Sequence, residues 1–378
     1  MEKKWKLSLL FLLPILAALT FWNYNNRVYD WDMPGYIGCM YALDYPGLPD
    51  KVRELTFSSI KKEAPAGHYA DINGTDPKDV TRQYFEKNTR SFTEQLPYYE
   101  IKVGYNLVIR FLYKIGFTAP MSVLFLSLIS YFFSGILLFY IFKIIFPNNY
   151  LIAFFTTNVM LLLPPVIEMS RISTPDMFIL VMLLIFMIAL LQKWKEWTVF
   201  IILFLITFIR PDYITFTLTY LVTAWIYAFI IDKKLDLSYF LQAAVLIVLY
   251  FFIIKFYNFP GWKSLFYDTF IYRRPFVSTQ AASFTLQDYL LILFERIMNF
   301  KKVTLIAVGS LGLIFYWSKD KWIRIYSLFI FINIYIKFVF FPQSATLRFF
   351  FGFIILLLIM LSFALSKKYN GLQIEKNP

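Results

Sequence analysis

The sequence predicts an all-α integral membrane protein of about ten transmembrane helices. Three observations carry that prediction. Of 378 residues, 59% are hydrophobic and 21% aromatic; the mean hydropathy is +0.59; and the apolar residues fall into runs of the length a bilayer requires. Such a composition is far too apolar for a water-soluble domain, and a hydrocarbon core about 30 Å thick takes roughly 20 helical residues. The runs at 7–24, 119–146, 151–167, 175–192, 197–209, 213–231, 239–257, 303–317, 322–341 and 347–366 read as spans. The runs at 197–209 and 303–317 are short. The first run follows Lys3, Lys4 and Lys6 as the core of a signal peptide would, but no small-residue cleavage pattern follows it, so it reads as a retained anchor.

Orientation follows from the distribution of lysine and arginine in short loops. With a cytoplasmic N-terminus, the cytoplasmic connections carry Lys143, then Lys193 and Lys195, then Lys233 and Lys234, then Lys319, Lys321 and Arg324, then Lys367 and Lys368. Every second loop is basic, which places both termini in the cytoplasm and the chain in the cell's inner membrane. The opposite loops at 168–174, 210–212 and 342–346 carry few lysines, and two long segments, 25–118 and 258–302, also fall outside. The whole chain, 1–378, reads as one multi-span domain.

The first external segment has its own pattern. Residues 51–63 and 76–95 read as polar helices, separated by "APAGHYADINGTDP", where Pro65, Gly67, Asn73, Gly74 and Pro77 signal turns. Pro34 and Gly35 signal another turn just after Asp32. The stretch "LPYYEIKVGYNLVIRFLYKIGF", 96–117, repeats apolar residues at helical spacing around Glu100, Lys102 and Arg110, which suits an amphipathic helix in the interface plane. No internal repeat supports an inverted-repeat transporter.

The formal charge of +13 does not point to nucleic acid, because the basic residues form short clusters between apolar runs and not one basic face. Cys39 is the only cysteine and His68 the only histidine, which excludes an internal disulfide, a Cys/His zinc site and a Cys–His catalytic pair. Any site must be built from Asp, Glu, Arg, Lys, Tyr and backbone.

With the topology drawn, Asp30, Asp32, Glu168, Arg171, Asp176, Arg210, Asp212, Arg273, Arg274 and Arg348 collect on the external side. Ionisable groups at such depths are costly to desolvate and need partners or a function. Asp176 has a plain helical explanation: Ser173 or Thr174 caps the helix, Pro175 suits its first turn and the carboxylate complements the dipole. Arg210 and Asp212 flank Pro211 where one span ends and the next begins, either as a brace between the two helices or with the arginine as an anion site. Arg273 and Arg274, beside Tyr272, suit a phosphate or pyrophosphate through bidentate guanidinium bonds, or else a lipid headgroup. Arg348, opening the last span, is a further cation on the same side.

A first span followed at once by the acidic, aromatic loop "YDWDMPGY", and then an interfacial helix, resembles the GT-C superfamily of polyprenyl-phosphate-sugar-dependent glycosyltransferases, in its broad bacterial branch. "STPDMFILVMLLIFMIALL" is similar to the family's Asp-led fourth span, "IRPDYITF" to its Arg-Pro turn and "YYEIKVGYNLVIRFLYKIGF" to its interfacial helix. The likeness runs from about residue 7 to about 257, and beyond that covers only the layout. The resemblance implies a GT-C-like fold with a helical external loop after the first span. It also implies a hexosyl- or pentosyltransferase of the cell envelope, serving polysaccharide biosynthesis, that takes a sugar from a polyprenyl-phosphate-linked donor among the membrane lipids and passes it to a glycan, lipid or protein acceptor. The family's external catalytic carboxylate maps onto Asp30 or Asp32, with a slight preference for Asp30. Arg171, Arg210, Arg273, Arg274 and Arg348 become the cations for the leaving phosphate and Glu168, Asp176 and Asp212 supporting acids; Tyr99, with Trp31, Tyr36 and Tyr98, offers rings for the sugar, although Trp and Tyr mark any membrane interface and that accounts for most of them. Some members hold a divalent metal through external carboxylates, so Asp30 or Asp32 with Glu168 or Asp176 is a possible site, although nothing in the spacing demands one. Asp30 and Asp32 also look like the metal-binding Asp-x-Asp of nucleotide-sugar enzymes, but such a donor would be cytoplasmic and this loop is predicted outside.

Two other classes combine many spans with external charge. A polysaccharide polymerase or ligase usually places its large external loop late in the chain, whereas here the larger one comes first. A lipid or solute transporter calls for charges or helix breaks near mid-span, yet Lys255 and Lys337 lie near external ends.

Overall fold

A computed structural model of the chain describes residues 2–75, 79–233, 236–342 and 347–371. Pro77, Lys234 and the 343–346 part of the last external loop lie outside the described residues. Every regular element among the described residues is helical. The elements are α1 (Glu2–Asn25), α2 (Met33–Asp44), α3 (Pro49–Glu63), α4 (Ala66–Asn73), α5 (Val80–Lys87), α6 (Thr89–Gln95), α7 (Pro97–Glu100), α8 (Val103–Lys114), α9 (Ala119–Ile145) and α10 (Tyr150–Leu161). Then come α11 (Pro164–Arg171), α12 (Asp176–Leu191), α13 (Glu196–Ile209), α14 (Ile214–Tyr227), α15 (Ser238–Phe256), α16 (Trp262–Phe270), α17 (Leu286–Asn299), α18 (Lys301–Trp317), α19 (Lys321–Phe340) and α20 (Phe351–Lys368).

The chain is a multi-pass membrane protein. Among the described residues, six helices are long and apolar enough to cross a bilayer, giving up to eight spans if each of two bent pairs counts as one. The expected 151–167 span is one of those pairs: α10 turns by 58° into α11. Pro164 and Pro165 explain the break, since proline cannot continue the hydrogen-bond ladder and bends the residue before it out of the helical region. The other pair, α17 and α18, meets at 70°. The expected spans at 175–192 and 197–209 form α12 and α13, of 16 and 14 residues. At 1.5 Å per residue these are about 24 Å and 21 Å long, shorter than the hydrocarbon core of about 30 Å.

Two groups of contacts fix which helix ends lie together. At one end the Trp5 indole donates to the Pro147 carbonyl at 3.3 Å and the Ser366 hydroxyl to the Ile145 carbonyl at 2.5 Å, among the lysines of the basic loops. At the other end the Ser127 hydroxyl donates to the Ile172 carbonyl at 2.8 Å and the Val28 amide to the Arg171 carbonyl at 2.9 Å. Helix α9 runs through the middle, with 67% of its apolar window buried against 17% for α15 at the periphery. Helix α12 is apolar on all sides and buried on nearly all of them, as a central helix must be.

The first long segment builds a cap of short helices, and here the expectations need correction. The turn expected at Pro34 and Gly35 is the first turn of α2, where proline at the helix start loses no hydrogen bond. Gly35 is required because a Cβ there would lie 2.6 Å from the Tyr99 ring. The turn-rich stretch after Ala64 contains α4, which ends at Gly74 in the left-handed conformation (φ 70°). The helix expected at 76–95 is two, divided at Asn88, whose side chain caps α6 by accepting from the Ser91 amide at 3.0 Å. The 96–117 helix is likewise two, because the chain breaks at Ile101 and Lys102 between α7 and α8. Helix α8 keeps its amphipathic character: Tyr105, Ile109 and Leu112 are buried, while Leu107, Phe111 and Ile115 form an exposed apolar stripe with it.

Candidate functional site

The shortness of α12 and α13 creates a recess. Their far ends carry Gln192, Lys193, Lys195 and Glu196 on the basic side, so the opposite ends, at Asp176 and Arg210, stop short of the surface. Charge at that depth must be matched, since an unpaired ion there costs several kcal/mol. It is matched by an alternating chain. Arg348 joins Asp32 (Nη1 to Oδ2, 2.6 Å) to Asp176 (Nε to Oδ2, 2.8 Å). Arg210 pairs with the other oxygen of Asp176 and donates through Nε to Asp212 Oδ1 at 3.0 Å. Lys337, at the end of α19, pairs with Asp212 Oδ2. Three acids thus alternate with three bases and tie together the lead into α2, the start of α12, the turn after α13, the last turn of α19 and the entry to α20.

Asp30 stands beside this chain without a cation of its own. Its Oδ2 accepts from the Ser173 amide at 3.2 Å, while its Oδ1 is buried without a hydrogen-bond partner among the described residues. Burial first, and the neighbouring charge of Asp32 second, push the Asp30 carboxyl up to about 7. Burial also acts to raise Asp32, but Arg348, Lys102 and the Tyr99 hydroxyl (3.1 Å) outweigh it and hold that carboxyl below its ordinary range. Adjacent carboxylates with values pushed apart are the arrangement by which one site holds both a poised base and a fixed anion.

Around the pair lie polar atoms that the protein leaves unbonded. The hydroxyls of Tyr36, Tyr105, Ser173 and Thr174 are buried without a partner among the described residues. The rings of Tyr36 and Tyr105 meet edge to face at 4.8 Å. Burial, then the nearby aspartates, raise both phenols well above their ordinary value, so they keep their protons as donors. Buried polar atoms are nearly always satisfied, and a cluster of exceptions marks a place prepared for something else.

Two cations face this region without an ion pair to a carboxylate among the described residues. Lys102, in the break between α7 and α8, lies 5.1 Å and 5.0 Å from the ring centres of Tyr36 and Tyr99 and donates to the Tyr98 carbonyl at 3.2 Å. Burial and the neighbouring Arg210 push its ammonium down to about 8. Arg273 lies over Trp31 at 5.3 Å and Tyr98 at 5.8 Å, with its Nε buried and unbonded. Trp31 itself is held between the rings and guanidinium groups of Phe85, Arg82 and Arg273.

The remaining expected residues fall elsewhere. Arg274 is 1% exposed and grips Asp268 with two bonds of 2.6 and 2.8 Å, and the Tyr98 hydroxyl donates to Asp268 at 2.6 Å. This pair, through Tyr98, fastens the second long segment onto the first, helped by Ser91 and Glu94, which bond Pro275 and Ser278. Arg274→Leu leaves Asp268 buried without its cation; we expect rapid proteolytic nicking within 271–285 of a protein whose membrane helices stay folded, read by limited proteinase K digestion of the purified variant. Arg171 lies against Trp22 at 4.1 Å and donates to Asn23, next to the recess but outside the chain of charges. Glu168 is exposed on α11 and takes no part.

A divalent metal does not fit. Both oxygens of Asp176 and one of Asp32 are bonded to guanidinium groups, Glu168 is exposed on α11, and among the described residues no group of three or more His, Cys, Asp or Glu gathers closely enough to hold an ion. Sequence reasoning found five of the six members of the charge chain but missed Lys337, which reads as an interfacial lysine, and Lys102, which reads as the polar face of a helix. Tyr36 and Tyr105 carry no signal that separates them from the many interfacial tyrosines.

Fold and site together define a class: an all-helical multi-pass membrane protein whose helix ends and cap of short helices enclose a buried, charge-balanced recess. No family model, curated protein or solved structure matches the chain.

Proposed function

We propose that the protein is a glycosyltransferase of the extracytoplasmic membrane face. It moves a hexosyl or pentosyl group from a polyprenyl-phosphate donor to a hydroxyl of a glycan, lipid or protein acceptor. The observation that carries this reading is Asp30: a carboxyl pushed up to about 7, with one buried oxygen unbonded, in a recess where two cations have no carboxylate of their own among the described residues. A general base works best with a pKa near the operating pH and within hydrogen-bond reach of the proton it takes. Asp30 removes the proton of the acceptor hydroxyl as its oxygen bonds to the anomeric carbon, the bond from that carbon to the phosphate oxygen breaks, and polyprenyl phosphate departs with the electron pair. Lys102 and Arg273 stabilise the departing phosphate, a task for which preorganised cations in a dry site are effective. Arg348 and Arg210, with their charge matched by Asp32, Asp176 and Asp212, hold the geometry.

In this reading the six long helices, two bent pairs and two short helices make ten crossings, with both termini cytoplasmic. The activity test is transfer in proteoliposomes: purified protein with polyprenyl-phosphate sugars should release polyprenyl phosphate in step with glycosylated product. Failure with every pentosyl and hexosyl donor, in membranes that supply the acceptors, sinks the assignment. Orientation has a separate test. An impermeant maleimide should label Thr75→Cys in intact cells and Lys319→Cys only after lysis, with buried Cys39 replaced by Ala; the reverse pattern inverts the topology.

A further inference from the structure

We infer that the cleft between α1 and α9 is the seat of the hydrocarbon chain of a polyprenyl phosphate, with Arg27 holding its phosphate at the outer end. Helices α1 and α9 touch where Leu16 lies 2.2 Å from the place a Cβ would take on Gly135, so the absence of a side chain lets them cross there. On the Tyr24 side of that crossing the two helices leave a gap. The gap is a cavity of about 520 Å³ bordered by Ala17, Phe21 and Tyr24 on one side and Met121, Phe125 and Ile129 on the other. That volume is in the range of sites that enclose a small-molecule ligand. Ala17 and Phe21 are exposed on the outside of the bundle, so the cleft opens sideways, where membrane lipid is the only apolar solvent available.

Its outer end is chemically different. Tyr24 closes the cleft, and the Arg27 guanidinium lies 4.4 Å from the centre of that ring. Arg27 uses Nη1 on the Tyr24 carbonyl and Nε on the Tyr29 hydroxyl. Glu63, the acid whose charge reaches it, uses its two oxygens on the hydroxyls of Tyr29 and Thr118. Arg27 therefore has no ion pair among the described residues and keeps Nη2 for an anion. An apolar cleft that takes the phosphate-proximal part of a chain and ends at one guanidinium without a direct ion pair among the described residues matches a lipid with a single phosphate. A zwitterionic headgroup would bring a cation against Arg27. Because Arg27 is three residues before Asp30 in the chain, a phosphate arriving there is delivered to the edge of the recess. This inference rests on the proposed reaction for the identity of the lipid, but binding is measured without turnover.

The test uses the full chain in nanodiscs of zwitterionic phospholipid and a polyprenyl monophosphate bearing a diazirine in its chain. Photolabelling should concentrate on 17–24 and 121–132 and be displaced by unlabelled polyprenyl phosphate. Ala17→Trp, which fills the cleft from its exposed side, should cut that labelling at least tenfold, whereas Val248→Trp on the exposed face of α15 should not. Arg27→Gln should weaken displacement by the phosphate about tenfold or more, the loss of one charge-assisted bond, without changing displacement by the free alcohol. Labelling spread evenly over the lipid-facing helices, or unaltered by Ala17→Trp in a protein that still elutes as a single species, overturns the site. Anionic phosphatidylglycerol competing as well as polyprenyl phosphate overturns the lipid assignment. Saturable labelling in a protein without transfer activity would retain the cleft and remove the reaction.

Discussion

Asp30→Asn should lower the rate of sugar transfer by on the order of 10²–10⁴-fold, the contribution of a positioned general base, with expression and elution unchanged. Asparagine is nearly isosteric and can still accept from the Ser173 amide, so the fold loses little. The same assignment makes a pH prediction. With the carboxyl pushed up to about 7 by burial and by Asp32, the active, deprotonated form accumulates as pH rises, so the rate should climb about tenfold per unit below pH 7 and level off above it. Asp32→Asn removes the neighbouring negative charge, which must lower the Asp30 value and move the acidic limb of the profile to lower pH. The linkage to stability has the opposite sense. A carboxyl whose folded value lies above its ordinary 3.8 binds a proton that the unfolded chain has released, so its contribution to stability is full below about pH 4 and lost as pH rises through 7. Activity lost on acidification through this group therefore cannot be unfolding driven by it, and a melting curve at pH 5.5 and 7.5 separates the two. Full activity in both Asn variants, or an acidic limb that stays in place in Asp32→Asn, would refute the base.

Much of this architecture was readable from periodicity and charge because a bilayer imposes simple rules. Each long apolar run became a helix, and the lysine-bearing loops meet at one end. The misreadings share a cause. In the 151–167 run, hydropathy is blind to direction, so a chain that bends at Pro164 looks like one that continues. In 76–95 and 96–117 the helical period survives a one- or two-residue break at Asn88 or at Ile101 and Lys102, because the face is re-established on the other side. Helix α2 was hidden by Pro34 and Gly35, which read as a turn; only the close approach of Tyr99 reveals why glycine stands there. For the site, sign and position of the charges were visible, but pairing was not. Arg274 next to Arg273 looks like a double phosphate clamp, and only three-dimensional contact shows that one guanidinium is committed to Asp268 while the other lies over Trp31.

Asp176→Asn should be the most destabilising single change in the recess. Among the described residues, Asp176 is the only acid shared by two guanidinium groups, Arg348 and Arg210, and its side chain is 1% exposed. Neutralising it leaves Arg348 with Asp32 alone and Arg210 with an Asp212 already shared with Lys337, so the recess holds one positive charge in excess, and breaking a buried pair of this kind costs about 3–5 kcal/mol. The converse also follows from the physics: removing both partners of a buried pair can be close to neutral. Asp176→Asn with Arg210→Gln keeps the overall charge balance of the chain, and it should recover much of the thermal stability that Asp176→Asn loses, even though three native ion pairs are gone. The opening should also be local. The chain of charges joins helix ends on one side only, whereas the opposite side is held by the Trp5–Pro147 and Ser366–Ile145 bonds, which involve no ion. Hydrogen exchange in Asp176→Asn should therefore rise at 30–33, 173–176, 210–213 and 347–350 and stay at the wild-type level around 140–147. An unchanged melting temperature in Asp176→Asn, or a double variant less stable than the single, would mean that the alternating charges are not what closes this end of the bundle.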